Sequence, residues 1–363
     1  MNATILKFGG SSFLHPKDYG RIAGHLADRL AAGEHKIVAV VSAMSGTTCN
    51  LKAVMLDVNK QASPSNLDGA LATGEMLSAS LLEAAISRLG IPAISLNGYS
   101  LGIRTNSDFG RASIKSVDPT PILAALQEHD VVVAAGAQAI DQSGRLTFLG
   151  RNSSDLSAIA IASMLGEHTC EIYSDVPGVY TADPYLVAGA QLIPEISYRA
   201  MLQMSRHGAK VLHHRAVHCA ETHNVTIVCK SLTSDGVITG TIVTGHGNAR
   251  SVTVAREIPV FSCATLEECD NLCALLARHD INAIRVEDGH GVVICIVSDI
   301  DFALRLVALS DTVPVFIGSK NVVTELDSSM LRVHVVGDYD RAVALARQIH
   351  ERMYPAAVGA PSR

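Results

Sequence analysis

Residues 5–12 read Ile-Leu-Lys-Phe-Gly-Gly-Ser-Ser, a short apolar run that ends in two glycines and two serines. The apolar run predicts a buried strand, and Gly9-Gly10 predicts a tight turn directly after it. Glycines let the backbone approach a phosphate closely, and successive N–H groups can then point at its oxygens. Lys7, at the end of the strand, would supply the positive charge that phosphoryl transfer requires. Because the lysine precedes the glycines, this is not a GxxxxGKS/T loop. A tight strand-to-helix turn with an incidental lysine explains the spacing equally well.

The order of a buried strand followed by a helix continues through the first two-thirds of the chain. Continuous rather than alternating apolar strands predict a mostly parallel sheet that is covered on both faces, which is a three-layer α/β/α arrangement. Such sheets bind ligands at the carboxyl ends of their strands. The predicted strands are Ile5–Phe8, Ile37–Val41, Ala93–Leu96, Val131–Ala135 and Glu171–Ser174, and the predicted helices include Leu71–Leu89, Ile122–Gln127 and Ser154–Leu165.

A polar, glycine-containing stretch at Thr244–Ser251 predicts a domain boundary, and the pattern changes after it. We expect a first domain over residues 1–245, a second region over 251–354 and a frayed tail over 355–363. The second region predicts a β-α-β-β-α-β order, which is that of a small α+β ferredoxin-like unit. Its predicted strands are Val252–Ala264, Ala283–Glu287, Val292–Val297, Val313–Ile317, Val322–Leu326 and Leu331–Val336, and its predicted helices are Leu266–His279, Ile300–Leu309 and Ala342–Met353.

Composition narrows the classes of protein that this chain can be. Apolar residues make up 48% of its 363 residues, which is enough for a large core, and the formal net charge is -6. The absence of a basic block argues against nucleic acid or an anionic membrane surface as the main partner. No export signal is recognisable at the N-terminus. Eight cysteines without a CxxC pair are typical of reduced thiols, so we expect a cytoplasmic protein.

Two further stretches combine a turn with polar side chains. Residues 40–48, Val-Val-Ser-Ala-Met-Ser-Gly-Thr-Thr, run from a strand into small hydroxyl residues. This pattern predicts either a ligand-facing loop that contains Thr48 or an ordinary Ser/Thr turn. Residues 72–75, Ala-Thr-Gly-Glu, are predicted to open a long helix, where Glu75 would either meet a substrate ammonium group or complement the helix dipole.

Residues 150–155, Gly-Arg-Asn-Ser-Ser-Asp, lead into a predicted helix. Arg151 can pair with a carboxylate in a bidentate way, and Asp155 in the same turn could bind an ammonium group, so together they suit a zwitterion. The alternative is plain N-capping by Ser153 or Ser154.

Residues 174–184, Ser-Asp-Val-Pro-Gly-Val-Tyr-Thr-Ala-Asp-Pro, form a loop with an aromatic ring that could stack on a base, or a plain surface loop. Lys210 in Gly208–Arg215 could reach a phosphate. Four histidines (His213, His214, His218 and His223) suggest a metal site, and His214 and His218 are one turn apart. No acid completes an HExxH pattern, so we interpret them as helix surface or interface and expect no metal ligands from the protein.

Taken together, KFGGSS, VVSAMSGTT, ATGE, GRNSSD, SDVPGVYTADP and GAKVLHHR occur in the order found in aspartate kinases, members of the amino-acid kinase superfamily. The resemblance covers about residues 1–243, and the tail resembles the ACT-type regulatory region of that family. It implies the amino-acid kinase fold, phosphorylation of the aspartate β-carboxylate by ATP with Mg²⁺ bridging phosphate oxygens, and a homodimer through the C-terminal region.

The resemblance also implies residue roles, with Lys7 and Asp175 as the catalytic pair. It implies aspartate contacts from Thr48, Glu75, Arg151, Ser154 and Asp155, and ATP contacts from Lys7, Gly9, Gly10, Ser11, Ser174, Asp175, Tyr180, Asp183 and Lys210.

The chain departs from the family pattern at several places. Asn152 and Ser153 stand where two glycines are usual, and Tyr185 stands where an arginine usually follows Asp-Pro. His213-His214-Arg215 replaces the usual His-Pro-Arg. The tail is short for two complete ACT units, so we expect weak or absent feedback inhibition by lysine or threonine. A kinase of another amino acid, or a catalytically inactive amino-acid-sensing homologue, remains an alternative interpretation.

Overall fold

The structure is a computed structural model that describes residues 2–209, 211–233, 236–288, 291–310, 314–328 and 330–355. Lys210, Val313 and residues 356–363 of the predicted tail therefore lie outside the described residues. The strands are β1 Thr4–Phe8, β2 Ile37–Val41, β3 Ala93–Leu96, β4 Ile103–Thr105, β5 Ile114–Val117, β6 Val131–Ala135, β7 Gln138–Asp141, β8 Leu146–Phe148, β9 Thr169–Tyr173, β10 Glu195–Ser197, β11 Thr226–Thr233, β12 Gly236–Thr244, β13 Arg250–Ser262, β14 Ala283–Asp288, β15 Gly291–Ile296, β16 Val315–Asp327 and β17 Met330–Val336. The helices are α1 Asp18–Ala31, α2 Thr47–Val58, α3 Pro64–Ser87, α4 Thr120–Glu128, α5 Ser154–Leu165, α6 Tyr198–Arg206, α7 His214–His223, α8 Leu266–Arg278, α9 Ile300–Ala308 and α10 Tyr339–Met353.

The chain divides into two compact units. The first unit contains residues 1–178 and 215–245, and the second contains residues 179–214 and 246–363. The segment 179–214 thus groups with the C-terminal residues, which the pattern along the chain did not indicate. The division into functional domains at residue 245 stays a prediction.

The first unit is built on a mostly parallel sheet, as predicted. Its strands follow the order β12-β11-β9-β1-β2-β6-β3, and all neighbours are parallel except β11 and β12. Leu6 and Phe8 of β1 face a core that α1 and α3 also line. Since side chains alternate along a strand, Ile5 and Lys7 face the other side, where α5 contacts β1. These layers confirm the predicted α/β/α fold class.

A second, smaller sheet in this unit was not predicted. Its strands follow the order β5-β4-β7-β8, and each is only three or four residues long. Thr105 and Thr147 share a buried hydrogen bond of 2.7 Å between their hydroxyls in this sheet. Helices α2 and α6 were not predicted either.

The second unit carries a five-stranded antiparallel sheet with the order β14-β15-β13-β16-β17. The chain order β13-α8-β14-β15-α9-β16 gives the predicted β-α-β-β-α-β succession. Helices α8 and α9 share one apolar core, and α10 packs on Val252 and Val323 in another. The two strands predicted around residues 313–317 and 322–326 are a single strand over the described residues, because β16 continues through Gly318 to pair with the long, bulged β13.

None of the helices in the described ranges has the length and apolarity that a membrane span needs.

Candidate functional site

The site forms where four parallel strands of the first unit end together. Phe8, Val41, Ala135 and Tyr173 are register partners at the carboxyl ends of β1, β2, β6 and β9. Ligands of parallel sheets bind at this edge, because the loops that follow the strands meet there.

The turn after β1 brings backbone donors to this edge. Gly9 and Gly10 lead into a single 3₁₀ turn over Gly10–Ser12. A Cβ at Gly10 would lie 3.1 Å from the carbonyl oxygen of Ala43, and one at Gly9 would lie 3.3 Å from Lys7 Nζ. The N–H groups of Gly10 and Ser11 donate no hydrogen bond within the part of the chain that the structure describes. The glycines thus keep side chains out of a small cradle that offers two donors to an anion.

Lys7 forms a buried ion pair with Asp155. The two side chains are 10% and 7% exposed, and Lys7 Nζ lies 2.7 Å from Asp155 Oδ1. A charge buried here without a partner would be strongly destabilising, so each group compensates the other. Asp155 belongs to the first turn of α5, so the lysine also lies beside a helix N-terminus, which attracts anions.

The start of α5 packs closely against the ends of β2 and β6. Ser154 Oγ and Ser42 Oγ share a hydrogen bond of 2.6 Å. A Cβ at Gly136 would lie only 2.6 Å from the Cβ of Ser154 and 3.0 Å from the carbonyl oxygen of Val41. Glycine at position 136 is therefore needed for the helix N-terminus to reach the strand ends.

Glu75 lies beside the same strand end, although not where the sequence predicted it. Helix α3 begins at Pro64 with Ser63 as its N-cap, so Glu75 lies in the middle of the helix and the predicted helix start at Ala72 is wrong. The side chain is buried, and Oε1 accepts a hydrogen bond of 3.3 Å from the N–H of Ala43. Oε2 has no hydrogen-bond partner among the described residues. Burial raises the pKa of Glu75 to about 7, and the hydrogen bond from Ala43 offsets this only in part.

Thr48 is the second residue of α2, and Gly46, the N-cap residue before the helix, lies in the left-handed region (φ 81°). Gly74 of α3 allows this helix to come close, since a Cβ there would lie 3.2 Å from Thr47 Cγ2. Residues 42–46 form a loop with a turn, and the last two residues of the stretch, Thr47 and Thr48, already belong to helix α2.

Arg151 and Asn152 lie exposed in the turn before α5. Asn152 has a φ of 59°, a conformation that glycine and asparagine adopt most readily. Ser153 is fully buried instead, and its hydroxyl donates a 2.5 Å hydrogen bond to the carbonyl of Gly150. Arg151 makes no ion pair or hydrogen bond within the described residues, so its guanidinium is available to a ligand.

Arg215 is a positioning residue to which the sequence patterns assign no role. Its guanidinium donates to the carbonyls of Leu149 (2.7 Å) and Ala112 (2.9 Å), which fixes the chain just before Arg151. The only signal in the sequence was its place at the end of the GAKVLHHR motif.

The loop after β9 also belongs to this edge. Ser174 donates its hydroxyl to the carbonyl of Val176 (2.7 Å), and Asp175 is exposed. A Cβ at Gly178 would lie 2.3 Å from Thr241 Oγ1, so the loop lies tightly against β12.

Tyr180 and Asp183 belong to the second unit. Tyr180 forms an isolated antiparallel bridge with Leu192, and Asp183 accepts a 2.9 Å hydrogen bond from the N–H of Tyr185. The side chain of Tyr185 is 83% exposed. The first unit thus brings together Lys7, Gly9, Gly10, Glu75, Ser154 and Asp155, and Lys210 lies outside the described residues.

Comparison with known proteins identifies the family. The family model described as "Amino acid kinase family" matches residues 2–231. An aspartokinase of Geobacillus stearothermophilus is 32% identical over 348 residues, which cover 93% of this chain and 84% of that protein. The chain belongs to the aspartokinases of the amino acid kinase family. The predicted family resemblance is confirmed.

Other aspartokinases match over different shares of their length. The aspartokinase of Helicobacter pylori strain 26695 is 40% identical over 227 residues, and this chain spans 56% of its length. The crystal structure of aspartokinase III of E. coli in complex with aspartate and ADP has a TM-score of 0.71, covering 90% of this chain and 88% of that one at 21% identity. That likeness shows the shared fold. The match to the crystal structure of aspartate kinase from Synechocystis covers all of this chain and 71% of that one, with a TM-score of 0.60 at 25% identity.

Proposed function

We propose that this aspartokinase-family chain transfers the γ-phosphoryl group of MgATP to the β-carboxylate of aspartate, giving 4-phospho-L-aspartate and ADP. One observation carries the proposal. A buried lysine, a glycine cradle with two available N–H donors and a buried carboxylate with a raised pKa meet at the carboxyl ends of β1 and β2.

The phosphate side of the reaction falls to the loop after β1. Lys7 would turn from Asp155 towards the γ-phosphate, and the N–H groups of Gly10 and Ser11 would donate to its oxygens. Charge that spreads over the moving phosphoryl group is then met by a lysine that β1 already places at this edge of the sheet.

The amino-acid side falls to the carboxylates and the exposed arginine. Glu75 and Asp155 would hold the α-ammonium group, and Arg151 would bind the side-chain carboxylate in a bidentate way. Thr48 and Ser154 lie at the starts of α2 and α5, where each can add a hydrogen bond.

The chemical step is an in-line displacement. A β-carboxylate oxygen of aspartate attacks the γ-phosphorus, the new P–O bond forms, and the bond to the β-phosphate oxygen breaks with its electron pair leaving on ADP. The attacking carboxylate is ionised at neutral pH, so no general base is needed. Positioning and charge neutralisation supply the catalysis.

MgATP is a substrate here, and the residues proposed for it continue along the chain. Ser174 and Asp175 follow β9 at the same edge as Lys7, and the resemblance adds Tyr180, Asp183 and Lys210. Mg²⁺ would come with the nucleotide and bridge its phosphate oxygens.

Trapping the acyl phosphate tests this function. Incubation with ATP, aspartate and hydroxylamine should give aspartyl hydroxamate with matching ADP release, and Lys7→Met should lower the rate by about 10²-fold to 10³-fold. Lys36→Met is the matched control. Lys36 lies just before β2, at the opposite end of the sheet from Lys7, and pairs there with Asp130. Wild-type hydroxamate formation no faster than that of Lys7→Met would refute the proposal and favour the inactive, amino-acid-sensing homologue.

Another amino acid is the second candidate substrate. Asn152 motivates it, because an exposed amide beside Arg151 replaces a residue without a side chain in the family pattern. The same assay with glutamate and related amino acids decides between them, and equal rates with aspartate and glutamate would exclude the assignment to aspartate.

The assembly and location are part of the proposal. We expect an ACT-type role for residues 251–354, since the sheet order β16-β13-β15-β14 and the antiparallel pairing fit a ferredoxin-like unit. Exposed apolar side chains on β16 and β17 support a homodimer through this region, namely Val315, Phe316, Ile317, Met330 and Leu331. Light scattering that returns a monomer would contradict it. None of the eight cysteines, all of which lie in the described ranges, forms a disulfide, in keeping with the proposed cytoplasmic location.

A further inference from the structure

Two histidines and an aspartate distant in sequence meet in the second unit, and none of them is among the residues proposed for aspartate or ATP. His213 and His214 lie at the start of α7, and Asp299 immediately precedes α9. One ligand atom from each of these three residues lies within 4.8 Å of the other two. Asp280, which follows α8, adds a second carboxylate, with Oδ2 at 3.5 Å from His214 Nε2.

His214 is the buried centre of this group. Its side chain is 5% exposed, and Nε2 makes no hydrogen bond within the described part of the chain. The same nitrogen lies 3.8 Å from Asp299 Oδ2. A buried imidazole nitrogen within 4 Å of two carboxylates is placed to share a cation with them.

The surrounding contacts orient the ligands. The rings of His213 and His214 stack at 4.7 Å between centroids with an angle of 27°. Asp299 is the N-cap residue of α9, but its side chain makes no capping hydrogen bond. Arg206 donates to Asp280 Oδ1 at 2.8 Å, which leaves Oδ2 on the side of His214.

We propose that His213, His214 and Asp299, with Asp280 as a fourth ligand, bind a divalent transition-metal ion such as Zn²⁺. Imidazole nitrogen and carboxylate oxygen are ordinary zinc ligands, and nitrogen ligands select against Mg²⁺ and Ca²⁺. Zinc bonds of about 2.0–2.2 Å place tetrahedral ligand atoms about 3.3–3.6 Å apart, so side-chain movements of about 1 Å would bring these atoms to bonding distance of one ion. Such an ion would connect the start of α7 to the turn before β14, which holds Asp280, and to the turn after β15, which holds Asp299.

The metal-free full-length protein, titrated with Co²⁺ in excess Mg²⁺, tests the site. We expect saturable visible absorption at one Co²⁺ per chain, displaced by Zn²⁺. His214→Gln and Asp299→Asn should weaken binding at least about tenfold. Asparagine tolerates the φ of 47° at position 299, so the second variant keeps the backbone.

His218→Gln is the matched control. His218 lies one turn further along α7 and is exposed, 3.9 Å from Glu221. Its substitution should leave the Co²⁺ spectrum and affinity unchanged. The inference fails if wild type shows no saturable binding, or if His214→Gln and Asp299→Asn, judged folded by circular dichroism, bind as tightly as His218→Gln. None of these readouts depends on kinase activity.

Discussion

Glu75 should make the protein less stable as the pH rises through 7. Burial raises its pKa from 4.5 to about 7, so the folded state binds this proton more tightly than the unfolded chain. The stabilisation is therefore complete below pH 4.5 and is lost as the pH rises through 7. With these two pKa values, the ionised carboxyl lowers the free energy of unfolding by less than about 1 kcal/mol at pH 5 and by about 3 kcal/mol at pH 8.

The substitution Glu75→Gln removes this ionisation and keeps an oxygen that can accept from the N–H of Ala43. Its gain in unfolding free energy over wild type should grow by about 2–3 kcal/mol between pH 5 and pH 8. For a unit of this size, that is a growth of roughly 5–10 °C in the melting-temperature difference. Melting curves followed by circular dichroism at both pH values measure it. Glu83→Gln on the same helix, where Glu83 Oε2 accepts from Ser95, corrects for loss of one negative charge from α3.

Activity should follow the opposite trend. If ionised Glu75 holds the substrate ammonium group, kcat/KM for aspartate should fall about tenfold per pH unit below pH 7. In Glu75→Gln it should be low and nearly independent of pH in that range. A melting-temperature difference between Glu75→Gln and wild type that is the same at pH 5 and pH 8 would refute the assigned pKa. A wild-type acid limb that persists unchanged in Glu75→Gln would refute its role in binding.

Three other substitutions probe the site and its supports. Gly136→Ala should lower the unfolding free energy by about 1–3 kcal/mol, because its Cβ would lie 2.6 Å from the side chain of Ser154 on α5. Gly24→Ala on α1 is the control, since its Cβ would enter open space and should not destabilise the protein. Thermal melting of the two variants measures the difference. Thr181→Val removes the 2.8 Å hydrogen bond between Thr181 and His350. If the neighbouring Tyr180 and Asp183 bind the nucleotide, the KM for ATP should rise about twofold to tenfold. An unchanged KM would show that this hydrogen bond does not support nucleotide binding. Tyr185→Arg puts a guanidinium at an exposed position and should lower the KM for ATP, whereas a higher KM would contradict phosphate binding there.

Strands with a continuous apolar run, such as β2 and β6, could be predicted because all five of their residues are buried. Strands β10, β11 and β12 were not predicted, and β11 alternates buried with half-buried residues instead. The start of α3 could not be found from apolar periodicity, since Ser63 to Ala70 contain little of it. The useful signal was a Ser-Pro pair, which caps and begins a helix. Because the predicted helix began too late, Glu75 was assigned to a first helical turn instead of the middle of α3. The interpretation that Glu75 complements the helix dipole followed from that assignment.

Contacts between residues far apart in the chain could not be predicted from the sequence either. The histidine pattern pointed to His214 and His218, which are neighbours by helical spacing. The structure instead places His214 against Asp280 and Asp299, residues that no local period connects to it. The four short strands of the second sheet were not predicted, because a strand of three or four residues shows too little periodicity to be recognised.

The two departures before α5 have separable physical meanings. Asn152 keeps a left-handed backbone (φ 59°) that a glycine would also adopt, and Ser153 closes the turn by donating to the carbonyl of Gly150. The path of the chain into α5, and with it the contact between Asp155 and Lys7, therefore does not depend on glycines here. What remains different is an exposed amide next to the exposed guanidinium of Arg151. An altered amino-acid preference would thus arise from hydrogen bonding or crowding by the Asn152 side chain at the substrate carboxylate, and the phosphate half of the site would be unaffected.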